Sequence, residues 1–542
     1  MIDPKSLSNL FPVLEEIPAE HRLAAQIHQR TYVIDGQLAT WSGPVKTVLS
    51  PVCTRDASGR VSQFELGSYP EMGIVESDAI LAAAVAAYDS GRGEWPTMSV
   101  AGRIECMQDF VQQMAAKREL VVKLIMWEIG KSLADSRKEF DRTIEYIQAT
   151  IEALKELDNG NSRFAVVEGT IGQVRRTPLG VVLCMGPYNY PLNETFCTLI
   201  PALLMGNTIV FKPPQYGTLL FEPLLEAFRS AFPRGVINTV YAPGELVVPR
   251  MLASGDINVL ALIGSSRVAD HLKKQHPKSH RLRAVLGLDA KNAAIVLPDA
   301  DLDLAVKECV LGALSFNGQR CTALKMLIVH RSIVDKFLKR FAAAVNELKI
   351  GMPWEPGVQI TPLPGPHRTA YMTAAIEEAA EKGATIQNDG GGTFCQTLFL
   401  PAVVYPVREG MKLYREEQFG PVVPVMAYDD VEEALQYVIT SDHGQQVSVF
   451  GSDAEQIGAL VDPLVNQVCR VNINCQCQRG PDVFPFAGRK DSAEGTLSVA
   501  DALRAFSIRS MVATKATDQS KKLLNSIVRG HKSKFISTDF IL

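Results

Sequence analysis

No strong charge of either sign marks this chain: 55 Lys and Arg stand against 59 Asp and Glu in 542 residues, a net of −4. A basic face of the kind that grips nucleic acid is therefore not expected. Long apolar runs are lacking as well. None reaches the roughly 18 residues that a membrane span needs. The opening segment, MIDPKSLSNL, has no basic start leading into an apolar stretch, so no secretory signal is expected. The ten cysteines contain no C-x-x-C pair. Cys475 and Cys477 lie close together, but C-x-C without a nearby His or a second pair is weak support for a metal, and none is expected. What is present describes an ordinary globular protein: 46% hydrophobic residues, 21% charged residues and 39 Gly. Its length allows three or four packed units with sizeable cores. A cytoplasmic protein with reduced thiols, mostly in the core, is expected.

The first third reads as largely helical, with helices expected over Asp78–Tyr88 and Arg103–Lys131. Phe140, Ile144, Ile147, Ile151 and Leu154 recur at spacings of four and three, one apolar stripe that stops near Asn159–Gly160–Asn161. Arg163–Thr177, rich in β-branched residues around Glu168–Gly169–Thr170, reads as a hairpin. From Leu179 the pattern alternates. Strands are expected at Gly180–Met185, Thr208–Phe211, Val236–Tyr241 and Val259–Ile263, with helices at Glu194–Leu204, Leu219–Phe232 and Arg267–Gln275. Short buried strands alternating with helices predict an α/β fold with a parallel sheet covered on both faces. A second βα-rich region runs from Ala293 to about Val468, and the chain from Thr517 onward is a basic appendage ending in STDFIL.

Three segments could carry chemistry. Leu260–Ser266 is a strand leading through Gly264 and Ser265 into a helix, whose unpaired N–H groups and positive dipole end suit a pyrophosphate, although any βα turn looks similar. Phe316–Thr322 places Cys321 beside Arg320 in a polar, Gly-containing loop, where a thiolate is favoured; a packed free Cys is the plainer alternative. Gly186–Pro191 follows the Gly180–Met185 strand and sets Asn189 where α/β sites collect their donors, or is simply a turn built from Pro and Asn.

Together these segments resemble the aldehyde dehydrogenase superfamily, most closely its non-phosphorylating, NADP-dependent glyceraldehyde-3-phosphate dehydrogenase branch. The resemblance covers roughly Tyr32 to Ala513. It is carried in order by PYNYP (187–191), PALLMGNTIVFKPP (201–214), GS (264–265), FNGQRCTA (316–323), EEQFGPVVP (416–424) and QRGPDVFPFAG (478–488). It implies that Cys321 attacks the aldehyde to give a thiohemiacetal, then a thioester that water hydrolyses, with Asn189 and the Cys321 N–H holding the oxyanion. It implies NADP, with NAD possible: Lys212 for the adenosine ribose and 2′-phosphate, Gln215 where NAD-preferring relatives often carry Glu, Gly264 and Ser265 at the pyrophosphate turn, and Glu417 with Phe419 at the nicotinamide ribose. By position, Arg142, Arg320 and Arg479 match the branch's substrate-phosphate arginines, and Tyr190 adds a hydroxyl.

The resemblance also implies the architecture. A cofactor-binding domain is expected from 1–160 and 179–292, a catalytic domain from 293–474, an oligomerisation arm from 161–178 and 475–515, and a tail at 516–542 expected to dock on a neighbouring subunit. A dimer or tetramer follows. The sequence departs from the family at one telling place. The family's deacylating Glu, in Leu-Glu-Leu-Gly-Gly-Lys, is Gly287 in Leu286-Gly-Leu-Asp-Ala-Lys291, with Asp289 two residues on. Glycine takes no proton, so three expectations stand: a hydrolytic NADP-dependent enzyme using another group, a CoA-acylating dehydrogenase, or a non-catalytic relative.

Overall fold

Five of the apolar strands after Leu179 line up in one sheet, as their unbroken burial requires. The computed structural model describes residues 7–539 and 541. The order across this sheet is Ile237–Thr239, Thr208–Lys212, Val181–Met185, Ile257–Ile263, Arg283–Gly287 and Ala493–Glu494. The first five run parallel; the last arrives from far downstream and pairs antiparallel, Gly287 opposite Ala493. All five residues of Val181–Met185 are buried, which is why that strand reads as a continuous apolar run. From it the chain steps to one side through Thr208–Lys212, then crosses to the other through Ile257–Ile263. The crevice at such a reversal, beyond the carboxyl ends of the strands, is where α/β sheets bind ligands.

The second βα region forms a seven-stranded sheet. Its order is Thr385–Ile386, Ala402–Tyr405, Val422–Tyr428, Met326–His330, Ala293–Val296, Gln446–Phe450 and Arg470–Ile473. All pairings are parallel except at the Thr385–Ile386 edge. A third, smaller sheet contains the hairpin Phe164–Val167 and Thr170–Pro178, with Ser507–Lys515 paired along the whole second strand. The hairpin turns at Glu168 and Gly169, both at positive φ (47° and 75°), the backbone that a two-residue turn between twisted strands requires.

Where the structure differs from the sequence reading, Pro and Gly account for much of it. Among the described residues the first long α-helix starts at Ile74, and Val45–Arg55 and Val61–Pro70 form a long antiparallel pair before it. Pro51 falls where that pair's register shifts, between Leu49 and Cys53, so its period-2 pattern is broken in the sequence. The helix expected over Arg103–Lys131 is two, Val100–Ala115 and Arg118–Ile129, the second ending at Gly130 in the left-handed region. Leu219–Leu224 is a 3₁₀ turn and only Leu225–Ala231 is α-helical, Pro223 lacking the N–H to continue a regular helix. The apolar stripe holds: Leu133–Asn161 is one helix that buries Phe140, Ile147, Ile151 and Leu154.

The C-terminal tail docks on its own chain. After the exposed helix Asp518–Arg529, the Asn159 amide and the Ile541 backbone exchange two hydrogen bonds (3.0 and 3.1 Å). Gln173 Nε2 donates to Ser537 O (2.6 Å) and Arg175 to Phe535 O (3.1 Å). Within its own chain the tail thus sits on the hairpin and the end of the Leu133–Asn161 helix. Among the described residues no helix is long and apolar enough to cross a membrane.

Candidate active site

A cavity of about 960 Å³ opens at the reversal point of the six-stranded sheet. The turns following its strands supply the walls: Gly186–Asn189, Pro213–Tyr216, Gly264–Ser265 and Leu288–Asp289, with Lys212 and Gly287 at strand ends. Cys321, Glu417 and Phe419 line it from the other sheet's side, with Arg368, and Glu194 lines it from the helix after the Asn189 turn. The structure therefore brings Cys321, Asn189, Lys212, Gln215, Gly264, Ser265, Glu417 and Phe419 to one space. Arg142, Tyr190, Arg320 and Arg479 are not among its lining residues.

The cysteine loop is built on strained backbone. Phe316, Asn317 and Gly318 all sit at positive φ (50°, 55° and 69°), and a Cβ on Gly318 would lie 2.6 Å from Gly420 O. Left-handed non-glycine residues cost about 1–2 kcal/mol each. Asn317 offsets this by bonding Thr361 both ways, its Nδ2 donating to Thr361 O (3.0 Å) and its Oδ1 accepting from Thr361 N (2.9 Å). Asn292, which the sequence reading did not single out, holds the far side: its Nδ2 donates to Cys321 O (2.8 Å) and Ala323 O (3.1 Å). The neighbouring arginine does not activate the sulfur. Arg320 turns onto the backbone, donating to Gly312 O (2.8 Å) and Leu311 O (3.1 Å). Burial above all, and the charge of Glu194, push the Cys321 thiol up to about 11, while Arg479 and Lys325 pull it down. Sequence adjacency to Arg320 suggested a favoured thiolate; Arg320 instead spends its guanidinium on backbone carbonyls, and burial opposes the thiolate.

Asn189 is placed by a buried pair that sequence reasoning missed. Lys131 and Glu139 are fully buried and paired. Lys131 Nζ donates to Asn189 O (2.7 Å), while Glu139 Oε1 accepts from Leu192 N (3.0 Å) and Asn193 N (3.2 Å). The turn is so held at three points. The Asn189 amide donates to Gln319 O (2.8 Å), two residues before Cys321, and an Asn amide carries a second N–H for another acceptor. The only sequence signal was the i, i+8 placement of two charges bracketing a helix start, which any surface helix shows.

On the dinucleotide side, Lys212 ends its strand and has no ion-pair partner among the described residues; burial lowers its ammonium to about 8. Ser265 caps the helix Ser266–Lys273, and Ser266 N donates to Asp289 Oδ2 (2.7 Å), as does its Oγ (2.8 Å). Glu417 accepts from Lys325 Nζ at 2.5 Å, and that ammonium lies 4.1 Å from the centre of the Phe419 ring. Burial raises the Glu417 carboxyl, with Lys325 opposing it. Lys291 donates to Leu413 O (2.9 Å), Glu416 O (2.7 Å) and Gln418 Oε1 (2.5 Å), fixing the segment that carries Glu417.

The arginines expected at the substrate are not free cations. Arg142 makes a two-point pair with Asp482 (2.9 and 2.6 Å). Arg479, only 6% exposed, pairs with Glu194, reaches Asp482 at 3.3 Å and lies over the Phe486 ring. Tyr190 packs edge-on against Phe316, with the Lys131 ammonium over its ring (3.5 Å). Two carboxylates thus occupy the donors expected to meet a phosphate; the reading from sequence saw the cations and not their partners.

Comparison with known proteins agrees with this geometry. The aldehyde dehydrogenase family matches residues 56–512. The chain is 35% identical over 462 residues to the NADP-dependent glyceraldehyde-3-phosphate dehydrogenase of Streptococcus equinus, covering 84% of this chain and 93% of the relative. It is 30% identical over 409 residues to the malonate-semialdehyde dehydrogenase of Listeria monocytogenes, covering 74% and 82%. The crystal structure of the NADP-dependent glyceraldehyde-3-phosphate dehydrogenase from Bacillus halodurans complexed with NADP superposes with a TM-score of 0.82 at 29% identity, over 91% of this chain and 100% of that one. With the cysteine loop and the asparagine turn on one cavity of a reversing parallel sheet, the chain belongs to the aldehyde dehydrogenase family and has its fold.

Proposed function

We propose that this chain oxidises a small anionic aldehyde, glyceraldehyde 3-phosphate or one like it, to the carboxylic acid with NADP, through an acyl group carried on Cys321. The observation that carries this is the meeting of Cys321 and Asn189 with the dinucleotide turn in one cavity. The cavity's residues fit NADP: an unpaired Lys212 for the 2′-phosphate, a neutral Gln215, and the helix start at Ser265, with Glu417 and Phe419 further in. Bound there, NADP supplies the acceptor for the aldehyde's hydride. Cys321 Sγ adds to the carbonyl carbon as its thiol proton passes to solvent water, and the Asn189 amide with the Cys321 N–H holds the oxygen that gains charge. One such donor is typically worth about 3–4 kcal/mol. Arg142 meets a substrate anion only by exchanging Asp482 for it, so the anion must compete with a carboxylate, while Arg479 keeps Glu194 and adds positive charge beside the anion. Arg320 and Tyr190 keep the supporting places described above.

The named relatives support glyceraldehyde 3-phosphate; Gly287 supports a second reading, an acylating dehydrogenase in which CoA thiolate resolves the thioester. NADPH formation from glyceraldehyde 3-phosphate, with and without CoA, separates them. Steady NADPH without CoA supports the first; dependence on CoA with acyl-CoA released supports the second; no NADPH from any small phosphorylated or carboxylated aldehyde overturns both. We read the enzyme as a cytoplasmic homo-oligomer with cofactor-binding (1–160, 179–292), catalytic (293–474) and arm (161–178, 475–515) parts and a tail at 516–542. Exposed Val166, Val167 and Met511 on the arm support the assembly.

A further inference from the structure

We propose that Glu194 is the carboxylate that takes the proton from the water hydrolysing the Cys321 acyl group, the task for which Gly287 has no side chain. The inference rests on the acyl-enzyme reading above. Three carboxylates line the cavity with Cys321: Glu194, Asp289 and Glu417. Asp289 commits Oδ2 to Ser266 N and Oγ on the dinucleotide turn (2.7 and 2.8 Å). Glu417 commits Oε1 to the buried Lys325 ammonium (2.5 Å). Glu194 also has one oxygen committed, but it differs from both in its place. It stands in the first turn of the helix Asn193–Leu204, just beyond the Asn189 turn, and is 6% exposed. Its Oε2 is anchored by Arg479, while Oε1 takes no hydrogen bond from any described residue. Of the acids around the sulfur, Glu194 also has the largest effect on the Cys321 thiol.

One oxygen fixed and the other without a partner among the described residues, on a side chain that lines the cavity, is the arrangement a positioned base requires. Arg479, itself held by Asp482 and lying over Phe486, is then a positioning residue: it fixes the rotamer of Glu194. In the step itself, water gives its proton to Glu194 Oε1 and its oxygen adds to the acyl carbon. The carbon–sulfur bond breaks, its electron pair leaves on Cys321 Sγ, and the proton on Glu194 passes to that sulfur or to solvent. The product is the free acid, and no oxidant or reductant is consumed.

The test needs no cofactor. p-Nitrophenyl acetate acylates a thiolate by exchanging its nitrophenolate, so the full-length protein can be loaded directly and deacylation followed by colour. Wild type is expected to release nitrophenolate steadily. Glu194→Gln is expected to give a burst approaching one per chain, then a steady rate lower by about 10²–10⁴-fold, with acetyl on Cys321 by mass spectrometry. Gly287→Glu added to that variant should restore steady release, since a Cβ at 287 meets nothing closer than 3.4 Å. Glu194→Asp keeps the charge against Arg479, so it guards against a fold lost with the ion pair; it should burst fully and deacylate slowly. Steady release at the wild-type rate from either Glu194 variant overturns the proposal. A wild type that releases nitrophenolate no faster than Cys321→Ala, with no acetyl on Cys321 in the Glu194 variants, overturns the acyl-enzyme reading, and the proposal with it.

Discussion

Cys321 and Lys212 are half-buried groups whose environments oppose their charged forms, and Lys212 makes a prediction of its own. Lys212 is lowered to about 8, so its ammonium is present below that pH and lost as pH rises through it. The KM for NADP should therefore rise above pH 8 while that for NAD stays flat. Lys212→Met should raise the NADP KM about tenfold, for a charged hydrogen bond of about 1.5 kcal/mol, and abolish that pH dependence. Asp289 holds a negative charge against the helix start at Ser266, where a pyrophosphate would compete with it. Asp289→Asn should lower the NADP KM a few-fold, since a charge at a helix N-terminus is worth about 0.3–1 kcal/mol. Fluorescence titration of the cofactor checks both. Residues of this kind were legible in part. Cys321, Asn189 and Lys212 stand in short motifs next to strand ends. By contrast, Arg142 meets Asp482 across 340 positions and Arg479 meets Glu194 across 285, and nothing local in a sequence reports a partner so distant.

At the scale of elements, alternation of buried strands and helices was readable between Leu179 and Val468 because its central strands, Val181–Met185 and Ala293–Val296 among them, are buried on both faces. The Val45–Pro70 pair was not, since a register shift around Pro51 hides its period. Nor was the Lys131–Glu139 pair, which ties the helix Leu133–Asn161 to the Asn189 turn. Breaking one partner of a buried pair typically costs about 3–5 kcal/mol, because the other charge stays uncompensated. Lys131→Met should lower stability by that order in chemical denaturation, and should also slow catalysis by freeing Asn189 O. Stability equal to wild type would show that the pair does not hold the turn. Similarly, removing the chain after Arg529 strips Gln173 and Arg175 of acceptors on the hairpin and should lower the melting temperature.

For the whole molecule, the arm presents a three-stranded sheet whose outer strands, Phe164–Val167 and Ser507–Lys515, have no partner on their far sides among the described residues. Val166 (65% exposed) and Met511 (58%) leave apolar surface there. Closed symmetric assembly covers such edges. Sedimentation should give a dimer or tetramer for the full chain, and Val166→Lys with Met511→Lys should shift it toward monomer; a monomeric wild type would remove this part of the reading. The fold thus places one sulfur, one amide and one dinucleotide crevice together, and the account depends on that sulfur reacting. Its most direct test is NADPH absorbance on mixing the protein with NADP and glyceraldehyde 3-phosphate, for wild type beside Cys321→Ala. The account predicts NADPH from wild type and none from the variant; NADPH from Cys321→Ala at the wild-type rate would contradict it.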